Sequence, residues 1–312
     1  MLALVTGSSG FVGSHLVKRL NKIPGVITVG VDVTRPRTDH CPDRFVRLDL
    51  SSRHGSSEQL LRDTLGSVDV VFHLAAESFV HASTRDPAKY LRANVQGTFG
   101  LLEAMRTSSS ARLIHVSTCE VYGNTGSGGA PESAPLRPLS PYASTKLAGE
   151  ALSHSYAHSY GIPTTIVRPF NLYGPGQQSN RLIPQVLINL RRGLPQRISG
   201  TGEQTRDWTF ISDAIDLLIR AGYATPPAGS PSIFNLASGI GVSVREIIDT
   251  IHSLAGIGKY SCYPGEKLQG ALMTSIGVPN VANEELDWKP QVSFLDGLSQ
   301  TLANSRVERN LT

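Results

Sequence analysis

A doubly wound α/β fold, a parallel sheet with helices on both faces followed by a smaller α/β region, is what this sequence predicts. Three observations carry that expectation. Short apolar, β-branched runs alternate with helically spaced segments through the first half, as they do where crossover helices cover both faces of a parallel sheet. A glycine-rich turn joins the first of these runs to the first helix. Past Arg168 the alternation stops, and Gly and Pro crowd in.

Taken in order, strands are predicted at Leu2–Thr6, Val26–Val31, Phe45–Leu48, Val68–Leu74, Leu113–Ser117 and Thr164–Arg168, each a short run suited to a fully buried strand. Helices are predicted at Phe11–Asn21, Glu58–Leu65, Pro87–Thr107 and Pro141–Tyr160. The segments NLYGPGQ, RRGLP, SGTGEQ and ATPPAGSPS then mark turns. Further helices are predicted near Val244–Leu254 and Leu295–Asn304, while Ser212–Ala221 and Ser232–Asn235 return to the first sheet as a helix and an edge strand. The expected division puts residues 1–170 with 208–236 in one domain, and 171–207 with 237–312 in a smaller substrate-binding one.

Composition excludes several classes. With 40% hydrophobic and 17% charged residues in 312, the chain can bury a sizeable core. Cys41, Cys119 and Cys262 form an odd set without a CxxC, which argues against a disulfide framework, a structural zinc and any metal site. The formal charge of +4 is scattered, Arg191-Arg192 and Arg35/Arg37 being its densest spots, so no nucleic-acid partner is expected. Met1 leads straight into a strand, and no apolar run approaches the roughly 20 residues of a membrane span. A cytoplasmic protein with no membrane contact is the expectation.

The stretch TGSSGFVG, Thr6 to Gly13, follows the first strand and opens the first helix. Its glycines allow a tight turn and close backbone approach to a pyrophosphate, and the helix N-terminus adds N–H donors. Gly7, Gly10, Phe11, Val12 and Gly13 are thus the expected dinucleotide cradle. Asp32 closes the second strand roughly 20 residues on, where a carboxylate accepts ribose hydroxyls and repels a 2′-phosphate. Arg35 and Arg37 nearby leave NADP open, while Asp32 tips the balance toward NAD. Asp49-Leu50 is a candidate adenine pocket.

In SPYASTK, Tyr142 and Lys146 stand four residues apart, on one face of a helix. A phenol titrating near pKa ~10 is a poor base, but an adjacent ammonium and an oxidised nicotinamide both favour phenolate. Tyr142 can then take a proton from a sugar hydroxyl while hydride leaves for NAD. Lys146 would also hold the nicotinamide ribose.

With TGSSGFVG, HLAAES (73–78), NVQGT (94–98), STCEVYG (117–123), SPYASTK, RPFNLYGPG (168–176) and TRDWTFISDA (205–214) in place, the chain resembles the extended short-chain dehydrogenase/reductases that modify nucleotide sugars. The resemblance runs from Leu2 to about Pro290. It implies a Rossmann domain, a bound NAD recycled each turnover, and a nucleotide-sugar substrate, a UDP- or dTDP-hexose. It also implies a homodimer through the Pro87–Thr107 and Pro141–Tyr160 helices. Leu74, Ala75, Ala76, Asn94, Ser117 and Pro169 join the cofactor site on this ground. Ser78, Val80, Asn171, Arg181, Leu182 and Arg206 join the substrate site.

Among such proteins the chain is most similar to the dTDP-glucose 4,6-dehydratases, which carry Thr-Asp-Glu where Thr118-Cys119-Glu120 stands here. By that resemblance Tyr142 is the base for oxidation at C4, Thr118 a donor to the C4 oxygen, and Glu120 the base at C5. The residue at 119 protonates the departing C6 hydroxyl. Cys119 departs from the pattern, yet a thiol near pKa 8.5 keeps its proton at neutral pH and can give it up in that step; its plainer role is packing. The Cys-Glu pair resembles the tunicamycin-pathway UDP-GlcNAc 5,6-dehydratase, in which hydride returns to C4 and leaves an exocyclic alkene, instead of to C6. Both outcomes stand open. So do a UDP-glucuronate decarboxylase, a 4-epimerase and an NAD-binding protein without activity. YPGEKLQGALMTSIGVPN (263–280) lacks the Arg and Asp that relatives use on the nucleotide, with Tyr263 and Lys267 as substitutes.

Overall fold

The computed structural model describes residues 1–36, 38–52, 54–258, 260–265 and 272–307; Arg37 and Lys267 lie outside them. The first half runs β1 (Leu2–Thr6), α1 (Phe11–Leu20), β2 (Ile27–Asp32), β3 (Arg44–Arg47), α2 (Gly55–Leu65), β4 (Val70–His73), α3 (Val80–Arg85), α4 (Pro87–Tyr90), α5 (Gly97–Ser108), β5 (Arg112–Val116), α6 (Pro141–Tyr160) and β6 (Thr164–Pro169). Then come β7 (Asn171–Tyr173), α7 (Leu182–Arg192), β8 (Gln196–Ser199), β9 (Thr205–Phe210), α8 (Ile211–Tyr223), β10 (Ser232–Leu236), β11 (Gly241–Ser243), α9 (Val244–Leu254), β12 (Cys262–Gly265), β13 (Thr274–Ser275), α10 (Asn280–Leu286) and α11 (Phe294–Val307).

A 7-stranded sheet has the order β10-β6-β5-β4-β1-β2-β3, and all its pairings are parallel. From β3 to β6 this is the Rossmann order, and the strand direction of travel reverses between β1 and β4. Ligands of such sheets bind at that crevice, outside the carboxyl ends of the strands. Successive residues serve opposite faces, so both faces must be apolar. Ala3, Val5, Val70, Phe72 and Ile114 pack on one side with α1 and α8. Leu4, Val29, Val31, Val71 and Leu113 pack on the other with α2 and α5. The first of these cores continues without a break through Trp208, Ile247 and Trp288.

The remaining strands gather on β9. Its first half pairs with β11 and β13, its second with β7. β8 and β12 form a separate 2-stranded pair. Asp207 of β9 ties this region down: its carboxylate accepts backbone N–H groups of Ser238, Gly239 and Gly277. Among the described residues, no helix is long and apolar enough to cross a membrane.

Two expectations are corrected here. The single helix foreseen over Pro87–Thr107 is interrupted by a π-helical turn, Leu91–Gln96, between α4 and α5; such bulges collect at functional sites, and Asn94 sits inside this one. In addition, α3, α7 and α10 were not foreseen. In α7 the misleading residue is Pro184, which falls in the first turn, where an absent N–H breaks no hydrogen bond.

Candidate active site

The cradle begins with backbone geometry. Gly7 has φ 68°, and a Cβ there would lie 2.7 Å from the Ala75 nitrogen; one on Gly13 would lie 2.1 Å from the Gly7 carbonyl. Gly10 caps α1 without a side-chain hydrogen bond, which leaves the first-turn N–H groups of Phe11, Val12 and Gly13 available to an anion. Asp32, at the end of β2, accepts from the Ser9 amide at 3.0 Å and the Thr34 amide at 2.8 Å, so its carboxylate rests against the loop. Ala75 donates its amide to Thr6 Oγ1 at 3.2 Å, fixing the Leu74–Ala76 segment beside Gly7. Ser117 Oγ, just past β5, is buried without a partner. A cradle closed to any Cβ, an uncapped helix start and an orphaned hydroxyl are what a dinucleotide such as NAD fits.

The other cofactor candidates are placed less uniformly. Asn94 accepts from Glu77 N at 2.8 Å and donates to Thr145 Oγ1 at 3.0 Å, bracing α6 against the loop after β4. Pro169 ends β6. Leu50 is buried beside α5, whereas the Asp49 carboxylate is engaged by Ser51, through both its amide and its hydroxyl.

Catalytic placement follows from two caps. The Ser140 side chain accepts from Ala143 N, and Pro141 occupies the first turn, so α6 starts just before Tyr142; losing such a cap costs about 1 kcal/mol. Thr118 likewise caps the 3-10 turn Cys119–Tyr122, accepting from Glu120 N at 3.3 Å. The Thr118 side chain also lies near enough to the Tyr142 phenol to favour its ionised form. The two capped starts thereby bring Thr118, Cys119, Glu120 and Tyr142 to one crevice at the end of β5.

Electrostatics within it are set by burial. Desolvation raises the Tyr142 phenol, with Glu120 and Cys119 adding to the rise; Thr118 and the Arg181 guanidinium oppose it. Lys146 is buried as well. Its Nζ donates to Val116 O at 2.6 Å, drawn to the strand instead of the phenol, and burial lowers it to about 8 against the pull of Glu150. Burial likewise raises Glu120 above the ordinary carboxylate range, with Arg206 pulling it down. Cys119 is pushed up to about 12, by burial first and Glu120 second. At neutral pH it is a thiol.

On the substrate side, Arg181 donates to Ser78 Oγ at 2.9 Å and lies over the Phe79 ring at 5.3 Å, just before Val80 opens α3. Leu182 begins α7 directly after it, and Asn171 begins β7. Arg206 is held by the carbonyls of Thr205 and Leu272, its charge felt by both Glu120 and Cys119.

Several residues at this site were not singled out in the sequence. Glu150, four residues past Lys146, is gripped by Arg168 at 2.8 Å in a pair with side chains 4% and 5% exposed. Arg168 also donates to the Tyr122 hydroxyl, which donates to Asn235 Oδ1. Ser275, on β13, donates to Cys119 Sγ at 3.5 Å. Only coordinates reveal such partners, because they are distant in sequence and chemically ordinary.

Known proteins are similar to this chain over nearly its whole length. The UDP-glucose 4-epimerase of Mycolicibacterium smegmatis is 33% identical over 312 residues, covering 97% of each chain. A dTDP-glucose 4,6-dehydratase of Streptomyces niveus is 31% identical over 333 residues, covering 99% of this chain and 94% of that one. The solved structure of MoeE5 in complex with UDP-glucuronic acid and NAD has a TM-score of 0.91 at 31% identity, covering 99% of this chain and 100% of the other. A family model described as NAD dependent epimerase/dehydratase matches residues 3–237. That match takes in the glycine loop, the Thr118–Glu120 turn and the helix of Tyr142, and the chain belongs to the NAD-dependent epimerase/dehydratase family.

Proposed function

We propose that this protein is a nucleotide-sugar dehydratase that eliminates water across C5 and C6 of a UDP- or dTDP-hexose. The carrying observation is that an ionisable base, Glu120, and a proton-holding thiol, Cys119, stand side by side in the turn capped by Thr118, their charges felt by the buried phenol of Tyr142. An epimerase needs only the phenol.

NAD, when bound, would accept hydride from C4 and, after the elimination, give it back to C4, leaving a 5,6-ene, or to C6, leaving a 4-keto-6-deoxy sugar, so that the turnover is redox-neutral. Tyr142 takes the C4 hydroxyl proton, with Thr118 donating to that oxygen. The C4 ketone makes the C5 proton acidic, since the resulting carbanion spreads onto oxygen. Glu120 removes that proton, and Cys119 protonates the departing C6 oxygen. A thiol held near 12 is suited to this, because the group it protonates leaves as water, whose own pKa is 15.7. Arg206, Arg181 and Asn171 receive the nucleotide diphosphate, a guanidinium fork matching phosphate oxygens, and Leu182 covers the nucleotide. Segments 171–207 and 237–312 form the substrate-binding domain in this assignment.

The test is incubation with UDP-GlcNAc, dTDP-glucose and UDP-glucuronate in deuterated water, followed by mass spectrometry and NMR. Loss of water is expected, and the NMR spectrum reads whether the product is a 5,6-ene or a 4-keto-6-deoxy sugar. Loss of carbon dioxide, or an unchanged mass with inverted C4, would overturn the proposal. Cys119→Ser is expected to slow C6 departure roughly 10²-fold while leaving C4 oxidation intact, measured by quenched-flow mass spectrometry. An unchanged rate would return Cys119 to packing.

A further inference from the structure

Cys119 is buried against mainly apolar side chains. It is 3% exposed and packs with Val121, Tyr122, Ala130, Phe170 and Ala237. Into this apolar setting the 1% exposed Ser275 directs its hydroxyl, donating to Sγ at 3.5 Å. We propose that Ser275 is a positioning residue for the elimination: it aims the Cys119 S–H bond at the departing oxygen and stabilises the sulfur once its proton has gone. The inference rests on the dehydratase reading and deepens it.

Geometry supports this in two ways. With the Ser275 proton on Sγ, the thiol's own proton is directed elsewhere. The bond also changes strength through the reaction. Neutral sulfur is a weak acceptor, whereas a thiolate receives a charge-assisted hydrogen bond. An interaction stronger after proton donation than before lowers the barrier, where uniform binding would not.

Ser275 is held rigidly enough to do this. β13 pairs with β9 in the register Ser275↔Arg206. Next to Ser275, Ile276 N donates to Thr125 Oγ1 at 2.9 Å and Gly277 N to Asp207 Oδ2 at 3.2 Å. On the other side, Met273 N donates to Asn124 Oδ1 at 2.6 Å. The charged and titratable groups facing the thiol are Glu120 from its own turn, Arg206 and Asp207 from β9, and Tyr142 from α6. Glu120 and Asp207 oppose loss of the thiol proton, while Arg206 joins Ser275 in favouring it.

The step balances. Glu120 takes the C5 proton, the C5–H electron pair becomes the C5–C6 π bond, and the C6–O bond breaks. The thiol proton completes a water molecule, leaving a thiolate beside a protonated Glu120. Transfer of that proton from Glu120 to sulfur restores the site.

The experiment compares wild type, Ser275→Ala, Ser275→Cys, Cys119→Ala and the Cys119→Ala/Ser275→Ala double variant in deuterated water, with a substrate the wild type converts. Two readouts are taken: product formation, and deuterium at C5 of recovered substrate. Ser275→Ala is expected to slow product formation roughly 10- to 100-fold, the worth of a hydrogen bond to a charged group. It should also raise deuterium wash-in, because C5 is deprotonated while C6 departure lags. Ser275→Cys, close to Ser in size and a weaker donor, should shift both readouts in the same direction and serves if the alanine variant does not fold. In the Cys119→Ala background, Ser275→Ala should add no loss. A rate within about twofold of wild type, a slowing without wash-in, or an equal loss with and without the thiol would each overturn the role of Ser275. Full turnover by Cys119→Ala would instead remove the acid from the underlying reading.

Discussion

Glu120→Gln is expected to abolish dehydration almost entirely, lowering product formation roughly 10²- to 10⁴-fold, while C4 oxidation continues. Gln keeps the size of the side chain but cannot accept the C5 proton. Quenched reaction mixtures should therefore yield the C4 ketone, and recovered substrate should carry no deuterium at C5. Full activity would remove Glu120 from the mechanism. The native enzyme should reflect this residue in its pH profile. Glu120 works as a base only when ionised, and burial raises its pKa. The rate should fall, as pH drops, at a value above the ordinary carboxylate range of about 4.3. Loss of the Arg206 charge, which opposes that rise, should move the limb higher still.

Tyr142→Phe is expected to act one step earlier. The ring is 8% exposed and packs edge-on against Tyr90 at a centroid distance of 6.3 Å, contacts that Phe retains. What is lost is the hydroxyl, whose ionised form Thr118 and Arg181 favour. Turnover should drop roughly 10²- to 10⁴-fold, with neither a C4 ketone nor C5 deuterium. Retained C4 oxidation would show that another group takes the hydroxyl proton.

Much of this was legible in the residues, and the reasons differ by element. The six strands foreseen before Arg168 are each found within about two residues, as is common for buried strands whose runs are continuous. The glycine loop was readable because positive φ and crowded backbone leave no other residue type. The π-turn at Asn94 was not, since an inserted residue in a helix leaves the apolar spacing almost unchanged. The backbone contact of Lys146 was not legible for a related reason. Spacing fixes the face of a helix, but the reach of a long side chain depends on which carbonyl lies under it, here that of Val116. Ser275 lay beyond reach because its significance comes only from the sulfur that the fold sets opposite.

The edge strand β10 has a consequence for synthesis. Asn235, within it, accepts from Tyr122 and donates to the carbonyls of Ala130 and Val278. A nascent chain emerging from the ribosome exposes β6 as a bare, aggregation-prone margin until Ser232–Leu236 arrives. Truncation before Ser232 should therefore yield an insoluble product, even though the glycine loop and every residue from Thr118 to Lys146 would already be present.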